Sequence, residues 1–250
     1  MGHPNLVFTI NKKEDLDVAL AFRTMKAGGV DFRKWGLLAP HPELRKHARL
    51  TRSLLAAYVD RYHLQHAADL ERTRTDFARI WRSVAGGFFL LTGELFGPGF
   101  PPPGAYTCSV SIWNCNPRDI RRRYFQVFFR HIRPRETMVH EMLHFAFYAY
   151  IFKRYPHTRH PDYTKVLWEL SEAFNTVVLN DPRWRKRLRL KRQPPYPELR
   201  GLVRIIRRRW VKNRSLDELL DGLVKKKKRG ARVCSRRIRT PATSSFRGTS

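Results

Sequence analysis

The chain has 250 residues, 42% hydrophobic and 12% aromatic, enough to bury a core and to exclude disorder over its whole length. Fifty Lys and Arg face 21 Asp and Glu, a formal charge of +29, and the excess is uneven: residues 1–182 carry 26 basic and 17 acidic side chains, residues 183–250 carry 24 and 4. Three cysteines, none in a C-x-x-C pair, exclude a disulfide framework, and the longest unbroken apolar run, 145–152, is far short of the ~20 residues that cross a bilayer.

In chain order, residues 1–16 lack the apolar segment of a secretory signal, and Leu6 stands where a myristoylation signal needs Ser or Thr. Residues 12–28 read as a short amphipathic helix stopped by Gly28 and Gly29. Leu50, Leu54, Leu55, Val59 and Tyr62 recur at three- and four-residue spacing and predict a long helix over 43–74. A second helix starts at Asp76, with a kink or break expected at Gly86–Gly87. The stretch 97–104 (GPGFPPPG) must be a loop. Residues 105–113 alternate, with Tyr106, Cys108, Val110 and Ile112 on one side and Thr107, Ser109 and Ser111 on the other. They predict a strand with one solvated face. Tyr124, Phe125, Phe128 and Phe129 suggest a helix over 118–131, and Pro134 opens another that runs to about Arg154. A loop with Pro156 and Pro161 leads to a helix over 163–179. Pro194, Pro195 and Pro197 mark a linker, followed by a basic amphipathic helix (199–210), a short helix (215–224) and a low-complexity tail (225–250) that is expected to be disordered.

The chemistry concentrates in His140-Glu141-Met142-Leu143-His144, an H-E-x-x-H. Two His four residues apart lie one turn apart on a single helix face, so both imidazoles reach one Zn²⁺ at ~2.0–2.1 Å. The Glu beside the first His is placed to take a proton from zinc-bound water. With 10 His and 10 Glu in the chain, composition alone predicts roughly 0.016 such motifs. A catalytic zinc needs a third protein ligand and an open position. Glu172, 28 residues after His144, can return beside the pair on an antiparallel helix. His160, in the intervening loop, and then Glu169, one turn before Glu172, are the alternatives. Tyr163, His157 and His160 are the candidate donors for polarising a carbonyl.

His140–His144 followed by Ser171-Glu172-Ala173 resembles the gluzincins, the thermolysin-like metallopeptidases. The resemblance covers about residues 105–180 and implies zinc on His140, His144 and Glu172 with Glu141 as general base. The gap to the Glu is longer than in thermolysin, and Thr176 stands where that family has an Asp supporting a ligand, a role that Glu169 or Asn175 would have to fill. Residues 133–163 also look like SprT-type proteases, which act on DNA-linked proteins and take a third His from the following loop, here His160. The strand 105–113 would then be an edge along which a peptide substrate pairs.

The expected fold is α+β, mostly helical and zincin-like, with a short edge strand or small sheet beside the active helix. Its parts are an N-terminal helical portion (1–104), a catalytic core (105–195), a basic extension (196–224) and a tail (225–250). The expected activity is zinc-dependent hydrolysis of peptide bonds in a soluble cytoplasmic protein with reduced thiols. Residues 183–250, where Arg and Lys interleave with Trp184 and Leu, suit sequence-blind contact with nucleic-acid phosphates. A non-catalytic basic binding protein is the rival reading.

Overall fold

The computed structural model describes residues 4–212, 216–218, 220 and 221. Residues 216–218, 220 and 221 are helical, whereas the tail 225–250, with Cys234, lies outside the described residues. The chain divides into two compact units, 1–208 and 209–250, and all elements that position the site belong to the first.

A four-stranded mixed sheet lies at the centre, in the order β1-β4-β6-β5. Strand β1 (Asn5–Ile10) runs parallel to β4 (Ala105–Ser111), with Leu6 opposite Tyr106 and Phe8 opposite Cys108. β4 runs parallel to β6 (Tyr124–Phe128), and the two-residue β5 (Arg118–Asp119) closes the far edge antiparallel to β6. Helices α1 (Lys12–Phe22) and α2 (Arg52–Gln65) pack together on the Ser109/Ser111 face. Helices α3 (Ala67–Phe96) and α4 (Pro134–Arg154) pack on the opposite face. There Phe145 of α4 meets Tyr106 edge-on, with ring centroids 5.0 Å apart. Helix α5 (Thr164–Leu179) lies against α4, where the Phe147 and Phe174 rings meet tilted at 5.1 Å, and α6 (Pro182–Leu188) follows. The last described helix of any length is α7 (Arg200–Lys212).

Several expectations change. Residues 118–131 are strands β5 and β6, not a helix. Every residue of β6 is buried, and a run without a polar face carries no periodicity to tell strand from helix. β4 lies between β1 and β6, so it is no edge, and α1 covers the face expected to be solvated: Ser109 and Ser111 are both buried. A peptide therefore has no free side of β4 to pair with. β1 itself was not anticipated, although Leu6 and Phe8 alternate inward within NLVFTI. Helix α1 stops at Phe22 and a small hairpin follows: β2 (Lys26–Ala27) and β3 (Val30–Asp31) turn through Gly28 and Gly29, both at positive φ. The expected 43–74 helix breaks at His66, and α3 then runs unbroken through Gly86 and Gly87. Gly87 is there for contact: a Cβ would sit 3.1 Å from Leu188 of α6.

Candidate metal centre

Helix α4 starts at Pro134, whose missing N–H costs nothing in a first turn, and Glu136 puts a carboxylate near the positive end. Apolar residues surround its middle: Met138, Val139, Met142, Leu143, Phe145, Ala146 and Phe147 are all buried. His140 and His144 share the one face that looks toward α5. Their Nε2 atoms lie 3.0 Å apart. Glu172, on the facing side of α5, places Oε2 3.0 Å from His140 Nε2 and Oε1 3.4 Å from His144 Nε2. Ligand atoms arranged tetrahedrally at ~2.0–2.1 Å from zinc stand roughly 3.3 Å apart; here one atom from each of the three side chains lies within 4.8 Å of the others, close enough to gather round one ion. Among the described residues they are the one His/Cys/Asp/Glu group so disposed.

The protonation states of His144 and Glu172 suit a ligand role, while His140 would release a proton on binding a metal. Burial, with Arg118 adding to it, pushes the His144 imidazole down to about 3, so it is neutral with an Nε2 lone pair to offer. Burial alone would raise the Glu172 carboxyl, but His144 and Arg118 outweigh it and hold the group well below the usual range. Burial opposes charge on His140, yet the Glu172 carboxylate overrides this and raises its pKa above 6.5. Where no metal is bound, a proton on His140 offsets the second of two buried carboxylates. The first is met by an arginine.

That arginine is Arg118 of β5, which sequence reasoning missed. It donates from Nη2 to Glu172 Oε1 at 2.8 Å, and its Nη1 lies 3.5 Å from Glu141 Oε2. Burial acts against its charge, but the two carboxylates keep it protonated. Glu141 is 4% exposed, and burial raises its carboxyl pKa, with Arg118 pulling the other way. A carboxylate whose pKa is raised holds a proton more readily than an ordinary Glu, which suits a group that accepts one and passes it on.

His140 and Glu141 line a cavity of about 420 Å³ together with Arg118. One wall is aromatic: Phe32 and Trp35, from the turn that follows the hairpin, and Tyr196. That turn, Arg33–Leu38, is wound as a π-helix, and a Cβ on its Gly36 would fall 2.5 Å from Cys115 Sγ. Tyr196 is held by its surroundings. Asn180 at the end of α5 exchanges two hydrogen bonds with the backbone of Gln193, at 2.8 and 2.9 Å. Lys191 N donates to Glu136 of α4 at 3.0 Å. Gly28 lies so close to Tyr196 that a Cβ would come within 2.8 Å of the ring. The proline-marked segment is therefore a strap across the ends of α4 and α5, not a free linker. Burial, together with the carboxylates of Glu172 and Glu141, pushes the Tyr196 hydroxyl pKa up, so it stays a donor.

The other predicted residues stand apart. His160 is exposed on the loop, with its Nδ1 accepting from Asp162 N at 3.4 Å. Tyr163 and His157 face one another, ring centroids 5.5 Å apart, and do not line the cavity. Glu169, a turn before Glu172, is outside the ligand group. Asn175 supports α4 by donating to the His140 carbonyl at 3.0 Å, while His144 Nδ1 is buried without a partner. Neither Arg118 nor Tyr196 had a distinguishing signal. Arg118 is one arginine near a run of three, and Tyr196 sits in a proline-rich stretch.

Cys108 and Cys115 are free thiols. Along α6 the basic side chains Arg183, Arg185, Lys186 and Arg187 face outward, while Trp184 and Leu188 are buried. Among the described residues no helix is long and apolar enough to cross a membrane. No protein-family model, curated protein or solved structure matches the chain.

Proposed function

We propose that the protein is a zinc-dependent metallopeptidase of gluzincin-like type, with His140, His144 and Glu172 as ligands and Glu141 as general base. The observation that carries this reading is the convergence of the three ligand groups beside a buried carboxylate that opens on a cavity of about 420 Å³. A structural zinc site needs neither the neighbouring base nor the opening.

When bound, zinc would supply Lewis-acid polarisation and a water of lowered pKa. The protein's own groups do the rest. Glu141 accepts the proton of the attacking water and delivers it to the leaving amine, a role that its raised pKa favours. Arg118 holds the free side of Glu172 and stands next to Glu141, which fixes both carboxylates in position before substrate arrives. Tyr196, protonated and on the cavity wall, is the donor for the carbonyl oxygen as that oxygen gains charge. Peptide alignment cannot use β4, which leaves the aromatic wall of Phe32 and Trp35 as the surface for substrate side chains.

The test is metal content and hydrolysis of a mixed peptide library by the full chain. Glu141→Gln is expected to keep one zinc per chain and to lose about 10²–10⁴ in turnover, since the amide cannot accept the proton. His140→Ala and Glu172→Ala are expected to lose the metal. Undiminished turnover in Glu141→Gln, or stoichiometric zinc in either ligand variant, overturns the reading.

A further inference from the structure

A second cavity, of about 350 Å³, lies away from the metal ligands and is lined by Arg23, Thr24, Arg33, Arg49, Leu50 and Thr51. Three arginines line it and no acidic residue does. This is unlike the arginines of α3, where Arg72, Arg74 and Arg79 each pair with an acid three residues earlier. Among the described residues Arg23, Arg33 and Arg49 form no ion pair.

Two of the three are pre-positioned. Arg23 Nη1 donates to the Leu50 carbonyl at 3.0 Å and Arg33 Nη2 to the Ala48 carbonyl at 3.4 Å. Both are thereby clamped to the same short segment, 48–50. A guanidinium has five N–H donors, so most of each fork is left for another acceptor. Arg33 Nε is buried and has no hydrogen-bond partner at all. An unsatisfied charged donor of this kind is destabilising unless something else accepts from it. The same cavity borders the start of α2. Thr51 caps that helix by accepting from Leu54 N, and the first turn carries no acidic residue to complement its positive end.

We propose that this cavity binds a phosphate group. Convergent arginines with no competing carboxylate are the arrangement that takes a tetrahedral dianion or a phosphodiester by paired N–H donors, and the helix start adds to the same field. The volume leaves room for a larger molecule that carries the group, a phosphate ester or a nucleic-acid backbone. Arg33 also opens the π-helical turn whose Trp35 and Gly36 line the metal-site cavity, so the two cavities share that turn. The proposal does not depend on the peptidase reading.

The experiment titrates inorganic phosphate, ribose 5-phosphate and a single-stranded 12-mer oligonucleotide into the full chain at fixed ionic strength. It compares Arg23→Gln/Arg33→Gln/Arg49→Gln with a charge-matched control, Arg82→Gln/Arg121→Gln/Lys165→Gln, which alters exposed residues outside both the cavity and the basic segment 183–250. One saturable phosphate site is expected, weakened at least tenfold in the first variant and unchanged in the control. If the first variant also weakens the oligonucleotide tenfold more than the control does, the ligand is a nucleic-acid backbone. If it weakens only phosphate and ribose 5-phosphate, the ligand is a free phosphate ester. Arg49→Gln alone guards against misfolding, because Arg49 is exposed and makes no hydrogen bond to hold the fold; a threefold loss is expected. Absence of a saturable phosphate site in the parent chain, or equal losses in both triple variants, overturns the proposal.

Discussion

Two buried clusters of polar side chains flank the sheet, and they are built on opposite terms. On the α1 side, Asp15 accepts from Ser111 Oγ at 2.5 Å and from His63 Nε2 at 2.7 Å, while its backbone carbonyl accepts from Trp113 Nε1 at 2.8 Å. Both carboxylate oxygens are satisfied, both side chains of the Asp15–His63 pair are under 5% exposed, and the cluster ties α1, α2 and the end of β4 together. On the α4 side, two imidazole nitrogens face each other and a carboxylate, His144 Nδ1 and Asn175 Oδ1 lack partners, and the neighbouring Glu141 looks into a cavity. A cluster that serves the fold closes its hydrogen bonds. One built to receive a ligand would leave groups unsatisfied until that ligand arrives, at a cost in stability in its absence.

The largest expected effect breaks the closed cluster. Asp15→Ala strands His63, Ser111 and the Ile112 N–H, and removing one partner of a buried pair costs about 3–5 kcal/mol. Chemical denaturation should register that loss, while the molecules that remain folded should still take up metal. Loss of metal at full stability would show the roles of the clusters reversed.

The open cluster should respond in activity instead. Tyr196→Phe removes one donor and is expected to lower turnover by about 10²-fold with zinc content and folding unchanged. Gly28→Ala should reproduce part of that loss, because its methyl group displaces the Tyr196 ring. Normal turnover in Tyr196→Phe would take that hydroxyl out of the mechanism.

A smaller change of opposite sign sharpens the contrast. His144→Leu keeps the buried volume and removes a neutral imidazole with an unpartnered nitrogen. The metal-free protein is expected to gain about 1–2 kcal/mol while metal binding is abolished. If this variant is as unstable as Asp15→Ala, the cluster is part of the framework.

The smallest effect concerns pH in the metal-free protein. The folded-state pKa of Glu172 is depressed, so the stability it contributes is present above about 4.5 and is lost as pH falls through the folded value. Glu172→Gln should flatten that acid limb in a melting series below pH 4.5. An unchanged slope would place the acid sensitivity in other groups.

Much of this was legible before any coordinates. The i,i+4 spacing of His140 and His144 fixes two candidate ligands on one helix face by geometry alone, and Pro134 marks where that helix starts. Glu172 was reachable too, since a loop and an antiparallel return are the short way back to α4. Local pattern failed where burial was complete: β6, apolar in fact at four of its five positions and with Gln126 Nε2 donating to the Tyr124 hydroxyl, has no period to read. The order β1-β4-β6-β5 depends on pairing between segments about a hundred residues apart, so the interior place of β4 could not be read from its own sequence. Arg118 and Tyr196 belong to the same class. Each becomes part of the site only because sheet register sets β5 beside Glu141 and Glu172, and because the strap 189–196, held by Asn180 and Glu136, crosses the ends of two helices. The sequence by itself determined two candidate metal ligands, His140 and His144, because one helix sets their spacing. Only the tertiary structure decided which charges and donors surround them, because those arrive from separate parts of the chain and are fixed by packing.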